Sequence, residues 1–83
     1  MWQIYILLCD ENFLYVGITN NLDHRLKQHQ NHLTKTTNRF KNIKLIYTEN
    51  FTNKFDAAIR EKEIKGWNRE KKEDLIFNSK NVS

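Results

Sequence analysis

Two apolar runs open the chain, Trp2–Cys9 and Phe13–Ile18, and only three residues, Asp10-Glu11-Asn12, separate them. Runs of this length, rich in aromatic and β-branched residues and bounded by polar turn formers, predict an antiparallel hairpin. Neither run alternates cleanly with polar residues, so the hairpin is expected to be buried on both faces. The rest of the chain must then cover two sides of a small sheet.

The length of the connection sets the register. With a loop of the three residues Asp10 to Asn12, Cys9 faces Phe13, Leu7 faces Tyr15 and Tyr5 faces Gly17. Side chains alternate along strands, so Tyr5 and Tyr15 would share one face as diagonal neighbours. A loop one residue shorter or longer would put them on opposite faces. Gly17, opposite Tyr5, is expected to leave a bare spot where another backbone or a phosphate can approach. Strand tyrosines are also ordinary half-buried core residues, and the pattern alone leaves both readings open.

Downstream, Asn20 is expected to cap a first helix, with Asp23 in its first turn. Leu22, Leu26 and Leu33 give it an apolar stripe, and it is expected to end near Asn31. Thr34 to Asn42 reads as a polar, basic loop and Ile43 to Thr48 as a third strand. Asn53 caps a second helix, with Asp56 in its first turn, that runs to Lys65 and stops at Gly66. Asn68 caps a third helix carrying Leu75 and Ile76, and Ser79 to Ser83 are expected to fray. The predicted order is β-β-α-β-α-α, one α+β domain over residues 1–83. With no proline and two glycines in 83 residues, Asn, Asp, Ser and Thr must make the breaks. A chain this short buries a modest share of its surface, but five Phe, three Tyr and two Trp suffice for one core.

Several classes of chemistry are disfavoured. Cys9 is the single cysteine, so it cannot form an internal disulfide or begin a zinc cluster, and it reads as a buried thiol. No histidine pair has metal-ligand spacing with further ligands nearby. No secretory leader or membrane-length apolar stretch is read, and a reducing, cytoplasmic setting is expected. The net charge is +4, and between Asp23 and Asp56 the only acid is Glu49, against Lys27, Lys35, Arg39, Lys41, Lys44 and Lys54. Such a basic middle third attracts polyanions, although a merely solvated surface has the same composition. No helix joins a basic face to a wide apolar one, which argues against a membrane surface.

The candidate chemistry lies on the helices as well as the hairpin. Arg25, His29 and His32 follow at i, i+4, i+7 and form a stripe beside the leucines. Arg25 and His29 are expected at the edge of the core, where Arg with His can hold and protonate a phosphate, and His32 in solvent. On the second helix, Glu61 falls between two apolar sectors beside Ala57 and Ala58, leaving room for a partly buried carboxylate. Glu63 lies between the bulkier Ile59 and Trp67. Magnesium sites on phosphate substrates often use one or two carboxylates plus water and substrate oxygens. An i,i+4 ion pair of Glu61 with Lys65 is the competing reading.

The ordered combination is more specific than its parts. Gln3-Ile4-Tyr5, Tyr15-Val16-Gly17, Thr19, Leu22, Arg25, His29, Arg60-Glu61, Ile64-Lys65 and Leu75-Ile76 together resemble the GIY-YIG nuclease superfamily, in particular its small stand-alone bacterial members. The resemblance runs from Ile4 to Ile76. It implies a three-stranded antiparallel sheet flanked by helices, with the active site across one sheet face. Tyr5 and Tyr15 match the motif tyrosines, Arg25 the catalytic arginine, and Glu61 the glutamate that binds Mg²⁺ or Mn²⁺. His29 falls where related nucleases carry Tyr or His. The implied activity is metal-dependent endonuclease cleavage of DNA. In it Tyr15 helps deprotonate water, Arg25 stabilises transition-state charge, and Tyr5 and His29 position water or phosphate or relay a proton. Lys27, Lys35, Arg39 and Lys41 are the expected phosphate contacts.

The sequence also departs from the family pattern. Gln3 and Val16 replace a glycine and an isoleucine of the motifs. Ile18 stands where repair-nuclease relatives often carry a lysine, and only Asn78 or Asn81 is left to match a C-terminal asparagine. The alternative is therefore a weakly active or inactive nucleic-acid-binding module of the same fold, acting with a protein partner.

Overall fold

A computed structural model describes residues 1–35 and 37–81. Strands β1 (Trp2–Cys9), β2 (Phe13–Thr19) and β3 (Ile43–Phe51) form one antiparallel sheet in the order β2-β1-β3. Helix α1 (Leu22–Gln30) lies between β2 and β3 in sequence, and α2 (Lys54–Lys65) and α3 (Arg69–Asn81) follow β3. This is the expected α+β order.

The hairpin takes the three-residue loop. Cys9 pairs with Phe13, Leu7 with Tyr15 and Tyr5 with Gly17. The turn is made without glycine: Asp10 and Glu11 both adopt positive φ, at 53° and 61°. The Asp10 carboxylate accepts hydrogen bonds from the Lys41 and Asn42 backbone N–H groups at 2.9 and 2.7 Å, tying the hairpin tip to the segment that enters β3.

Two apolar layers cover the sheet. On one face Tyr5, Leu7, Cys9 and Ile43 pack with Leu22 and Leu26 of α1 and with Phe40. On the other, Ile4, Ile6 and Val16 pack with Ile64 of α2 and Ile76 of α3. The central strand is thus buried from both sides, as its unbroken apolar run requires. Between Ile6 and Leu7 the pairing with β3 slips by one residue, because Ile6 opposes Tyr47 while Leu7 opposes Leu45. The extra residue, Ile46, forms a bulge, so that Ile46 and Tyr47 both join the second layer while Ile43 and Leu45 serve the first.

Several local expectations are corrected. Asn21, not Asn20, caps α1: its side chain accepts from His24 N–H, and its own N–H donates to Thr19 Oγ1 at 3.1 Å. The helix stops at Gln30, capped by Asn31, as expected, and His32 then turns the chain with φ of 61°. Leu33 therefore leaves the stripe and is 71% exposed. Strands β2 and β3 run on to Thr19 and Phe51, beyond the expected Ile18 and Thr48. Gly66 ends α2 but with φ of −78°, so it is not a left-handed cap. Asn53 and Asn68 cap α2 and α3 as expected, accepting from Asp56 N–H and Lys71 N–H. Ser79 to Asn81, expected to fray, continue α3, while residues 82 and 83 lie outside the described residues. Cys9 is a free buried thiol, and burial raises its pKa.

Candidate functional site

One sheet face gathers the polar groups. Tyr5 on β1 and Tyr15 on β2 stand there as diagonal neighbours with ring centroids 6.2 Å apart. His29, one α1 turn after Arg25, leans between them, 5.6 Å from the Tyr5 ring and 5.2 Å from Tyr15. Its Nε2 lies 2.9 Å from Tyr5 Oη.

His29 does not sit at the core edge as expected. It is 1% exposed, because the start of α1 is drawn against the sheet by Leu22 and Leu26 and the next turn inward falls on His29. Arg25 stays exposed on the same helix side. Burial and then the Arg25 charge lower the pKa of His29, favouring the neutral ring. Burial, followed by the neighbouring Tyr15, pushes the Tyr5 phenol well above its ordinary value. His32 lies beyond the helix and is exposed, as expected.

Gly17 does not leave open space. A Cβ there would sit 2.3 Å from both Cζ and Oη of Tyr5, so the Tyr5 ring itself fills the gap. The glycine admits the tyrosine rather than a substrate.

Two residues absent from the sequence reading complete the buried cluster. Thr37 Oγ1 lies 2.7 Å and Thr34 Oγ1 3.0 Å from His29 Nδ1, and the two hydroxyls also contact each other. Thr37 is fully buried. A threonine in a polar loop carries no sequence signal of this kind; only the i, i+8 separation from His29 across a short loop hints at contact.

Glu61 occupies the inward stripe of α2, one turn after buried Ala57 and one turn before buried Ile64. Ala58, expected beside it in the interior, is exposed. The Glu61 carboxylate pairs with Lys65 Nζ at 3.3 Å, and the two side chains are 19% and 52% exposed. Glu63 instead joins Arg60, which also grips Glu49 through Nε and Nη2 at 3.0 and 3.1 Å. The charges of Arg25 and Glu61 both act on Tyr5, from α1 and from α2.

Among the described residues no three His, Cys, Asp or Glu side chains gather to hold a metal. Glu61 nonetheless suits Mg²⁺ or Mn²⁺. It is a hard oxygen donor, partly buried, with an exposed lysine as its partner, and such ions take their remaining positions from water and substrate phosphate. Lys27, Lys35, Arg39 and Lys41 are all exposed. Arg39 rests its guanidinium over Phe40, 4.8 Å from the ring centroid, and Phe40 stacks on Phe13 at 5.3 Å. Asn78 is exposed near the end of α3, and the Asn81 side chain lies outside the described residues. A groove lined by Leu8, Leu14, Ile46, Ile76 and Phe77, with Glu11, Arg69 and Glu73 also in its wall, lies on the opposite sheet face, away from the tyrosines.

A hairpin presenting two tyrosines on one face, with an arginine from the following helix and a glutamate from the next, is the arrangement of a GIY-YIG catalytic domain. The model of that domain family matches residues 1–74, and the chain belongs to the GIY-YIG family. It is 44% identical over 77 residues to the UPF0213 protein CPE1444 of Clostridium perfringens, covering 92% of this chain and 83% of that protein. It is 38% identical over 74 residues to the UPF0213 protein NP_0776A of Natronomonas pharaonis, covering 88% and 87%. The solution NMR structure of the UPF0213 protein BH0048 from Bacillus halodurans superposes with a TM-score of 0.60 at 35% identity, covering 92% of this chain and 83% of that one. Membership implies hydrolytic activity of the nuclease type. Among the described residues no helix is long and apolar enough to cross a membrane.

Proposed function

We propose that this chain is a metal-dependent endonuclease that hydrolyses phosphodiester bonds in DNA. The observation that carries the reading is the polar cluster at Tyr5: Tyr15 and His29 flank its ring, and His29 Nε2 lies 2.9 Å from its hydroxyl. A purely structural core has no reason to gather two tyrosines and a buried histidine on one face and to set the charges of Arg25 and Glu61 within electrostatic reach of them.

Each residue then has a role set by its exposure. Tyr15 is half-buried and able to meet solvent, and it takes a proton from the attacking water. Exposed Arg25 binds phosphate oxygens and stabilises the charge that grows on them in the transition state. Tyr5 and His29 are too buried to meet a polymer directly, so they hold and polarise Tyr15. Glu61 would hold Mg²⁺ or Mn²⁺, which when bound supplies positive charge at the phosphate. Lys27, Lys35, Arg39 and Lys41 provide sequence-independent phosphate contacts, so binding should weaken steeply with salt.

Ile18 favours a second reading. It brings an aliphatic group to a position where relatives often carry a lysine, and so offers no charge to the tyrosines. On that reading the chain is a weakly active or inactive binding module that works with a protein partner.

The deciding experiment is cleavage of labelled single-stranded, duplex and branched DNA with Mg²⁺, Mn²⁺ or chelator, beside a folded Glu61→Ala variant. Metal-dependent cutting lost in the variant is the expected result. Salt-sensitive binding without any cutting by the wild type would move the conclusion to the second reading.

A further inference from the structure

The mechanism above leaves unexplained why both nitrogens of a buried histidine are engaged. His29 Nε2 lies 2.9 Å from Tyr5 Oη, and Nδ1 lies 2.7 Å from Thr37 Oγ1 and 3.0 Å from Thr34 Oγ1. A neutral imidazole has one proton to place, and the nitrogen that lacks it must accept.

Two arrangements fit a neutral ring. In one, Nδ1–H donates to the threonine oxygens and Nε2 accepts the Tyr5 hydroxyl hydrogen. In the other, Thr37 O–H donates to Nδ1, Nε2–H donates to Tyr5 Oη, and the Tyr5 hydrogen must turn toward Tyr15. The contacts of Nδ1 favour the first: one N–H can be shared between the two threonine oxygens that lie within reach, whereas the single in-plane lone pair of a bare Nδ1 would take only one hydroxyl. It also suits the threonine hydrogens. Thr37, fully buried, accepts from Nδ1–H and passes its own hydrogen to Thr34, and half-buried Thr34 reaches solvent with the last one. Every buried polar atom is then satisfied, in keeping with the lack of unpartnered side-chain N or O atoms among the described residues.

We infer that Thr37, backed by Thr34, is a positioning residue that holds the His29 proton on Nδ1. Nε2 is thereby left bare to draw the Tyr5 hydrogen inward, and the Tyr5 lone pairs turn toward Tyr15. Thr34 and Thr37 so set the polarity of the tyrosine pair from behind, without touching substrate. The catalytic consequence rests on the nuclease reading; the tautomer does not.

The test is long-range ¹H–¹⁵N NMR of the imidazoles at a pH where His29 is neutral, with exposed His24 and His32 as solvent references. The wild type should show His29 in the Nδ1–H tautomer. Thr37→Val, which keeps the shape and removes the hydroxyl, should shift it toward Nε2–H, and Thr37→Ser should restore the wild-type pattern. In cleavage, Thr37→Val should lower kcat about tenfold, the worth of one buried hydrogen bond, and leave KM nearly unchanged. Thr37→Ser should recover kcat. If Thr37→Val does not fold, Thr34→Val, altered at the half-buried partner, should give a smaller shift of the same sign. An Nε2–H tautomer in the wild type would overturn the inference, as would an unchanged tautomer in a folded Thr37→Val. Absence of cleavage by the wild type would instead overturn the nuclease reading, with the tautomer still deciding this one.

Discussion

Gly17→Ala separates two explanations of the second motif glycine. If the position needed glycine for its backbone, φ would be positive, but no glycine of the chain has positive φ. The structure makes the constraint one of space. The new Cβ would lie 2.3 Å from Tyr5 Cζ and Oη and 2.8 Å from Cε1. The ring is 2% exposed and held by His29, so it cannot slide outward without breaking that bond. Overpacking costs about 1–3 kcal/mol and an unmade buried hydrogen bond about 1–3 more, giving a loss of about 2–6 kcal/mol. Without the clash, Gly→Ala in a strand should stabilise by about 0.5–1 kcal/mol, so the sign alone is informative. Urea denaturation followed by circular dichroism measures the loss. The same substitution in a Tyr5→Leu background, where the ring is gone, should cost far less. A loss below about 1 kcal/mol in the wild type, or an equal penalty in the Tyr5→Leu background, would refute the argument.

Three further outcomes follow from other parts of the molecule. Tyr15→Phe should cut the cleavage rate about 10²–10⁴-fold, as expected for loss of a proton-transfer group, while thermal unfolding shows the fold retained; cleavage at the wild-type rate would remove Tyr15 from the mechanism. Burial alone would raise the pKa of Glu49, but hydrogen bonds from Arg60 and Tyr47 outweigh it and hold the carboxyl below its ordinary value. The unfolded state therefore binds more protons over the acid range, and stability should fall as pH drops through the ordinary carboxylate pKa toward the lower folded one. Glu49→Gln should flatten that limb in urea titrations at several pH values. Glu11→Gly, at φ of 61° in the hairpin tip, should raise stability by about 0.5–1 kcal/mol in thermal melts, because glycine takes the left-handed region without a Cβ penalty.

What the sequence discloses here follows from which interactions are local. The hairpin register was legible only through the turn: with both faces apolar a one-residue slip leaves the pattern unchanged, so it rested on taking Asp10 to Asn12 as the whole loop, in agreement with the shared face for Tyr5 and Tyr15 that the family resemblance implied. The caps of α2 and α3 were legible because a single Asn precedes each helix. At α1 two asparagines stand together, and the choice fell to Asn21 because Thr19, already in the sheet, accepts its N–H. Leu33 was misplaced because its spacing fits the stripe only if the helix continues, whereas it lies beyond the Asn31 cap, after the left-handed turn at His32. Arg25 and His29 share a helix side but not an environment, since the tilt of α1 against the sheet decides which turn is buried. The partnership of Thr37 with His29 is a tertiary fact, set by how the segment before β3 folds back, with Asp10 anchoring its far end.

The two faces of the sheet explain how so short a chain can hold a buried polar cluster at all. Alternation along β1 sends Ile4 and Ile6 to one layer and Tyr5 to the other, so adjacent residues serve different ends. The Ile4, Ile6, Val16, Ile64 and Ile76 layer has an aliphatic centre, with Tyr47, Phe51 and Trp67 packed around it, and supplies apolar burial independent of Tyr5 and Tyr15. The facing layer can then accept a histidine, two tyrosines and two threonines, provided each polar atom finds a partner. The bulge at Ile46 extends this division to β3 by giving two consecutive residues, Ile46 and Tyr47, to the layer of Ile4 and Ile6. Substitutions at Ile4 or Ile64 should therefore act on folding, and those at Tyr15 or Arg25 on chemistry. Tyr5 and Gly17 are the positions where the two cannot be separated, because one ring fills the core gap and presents the hydroxyl.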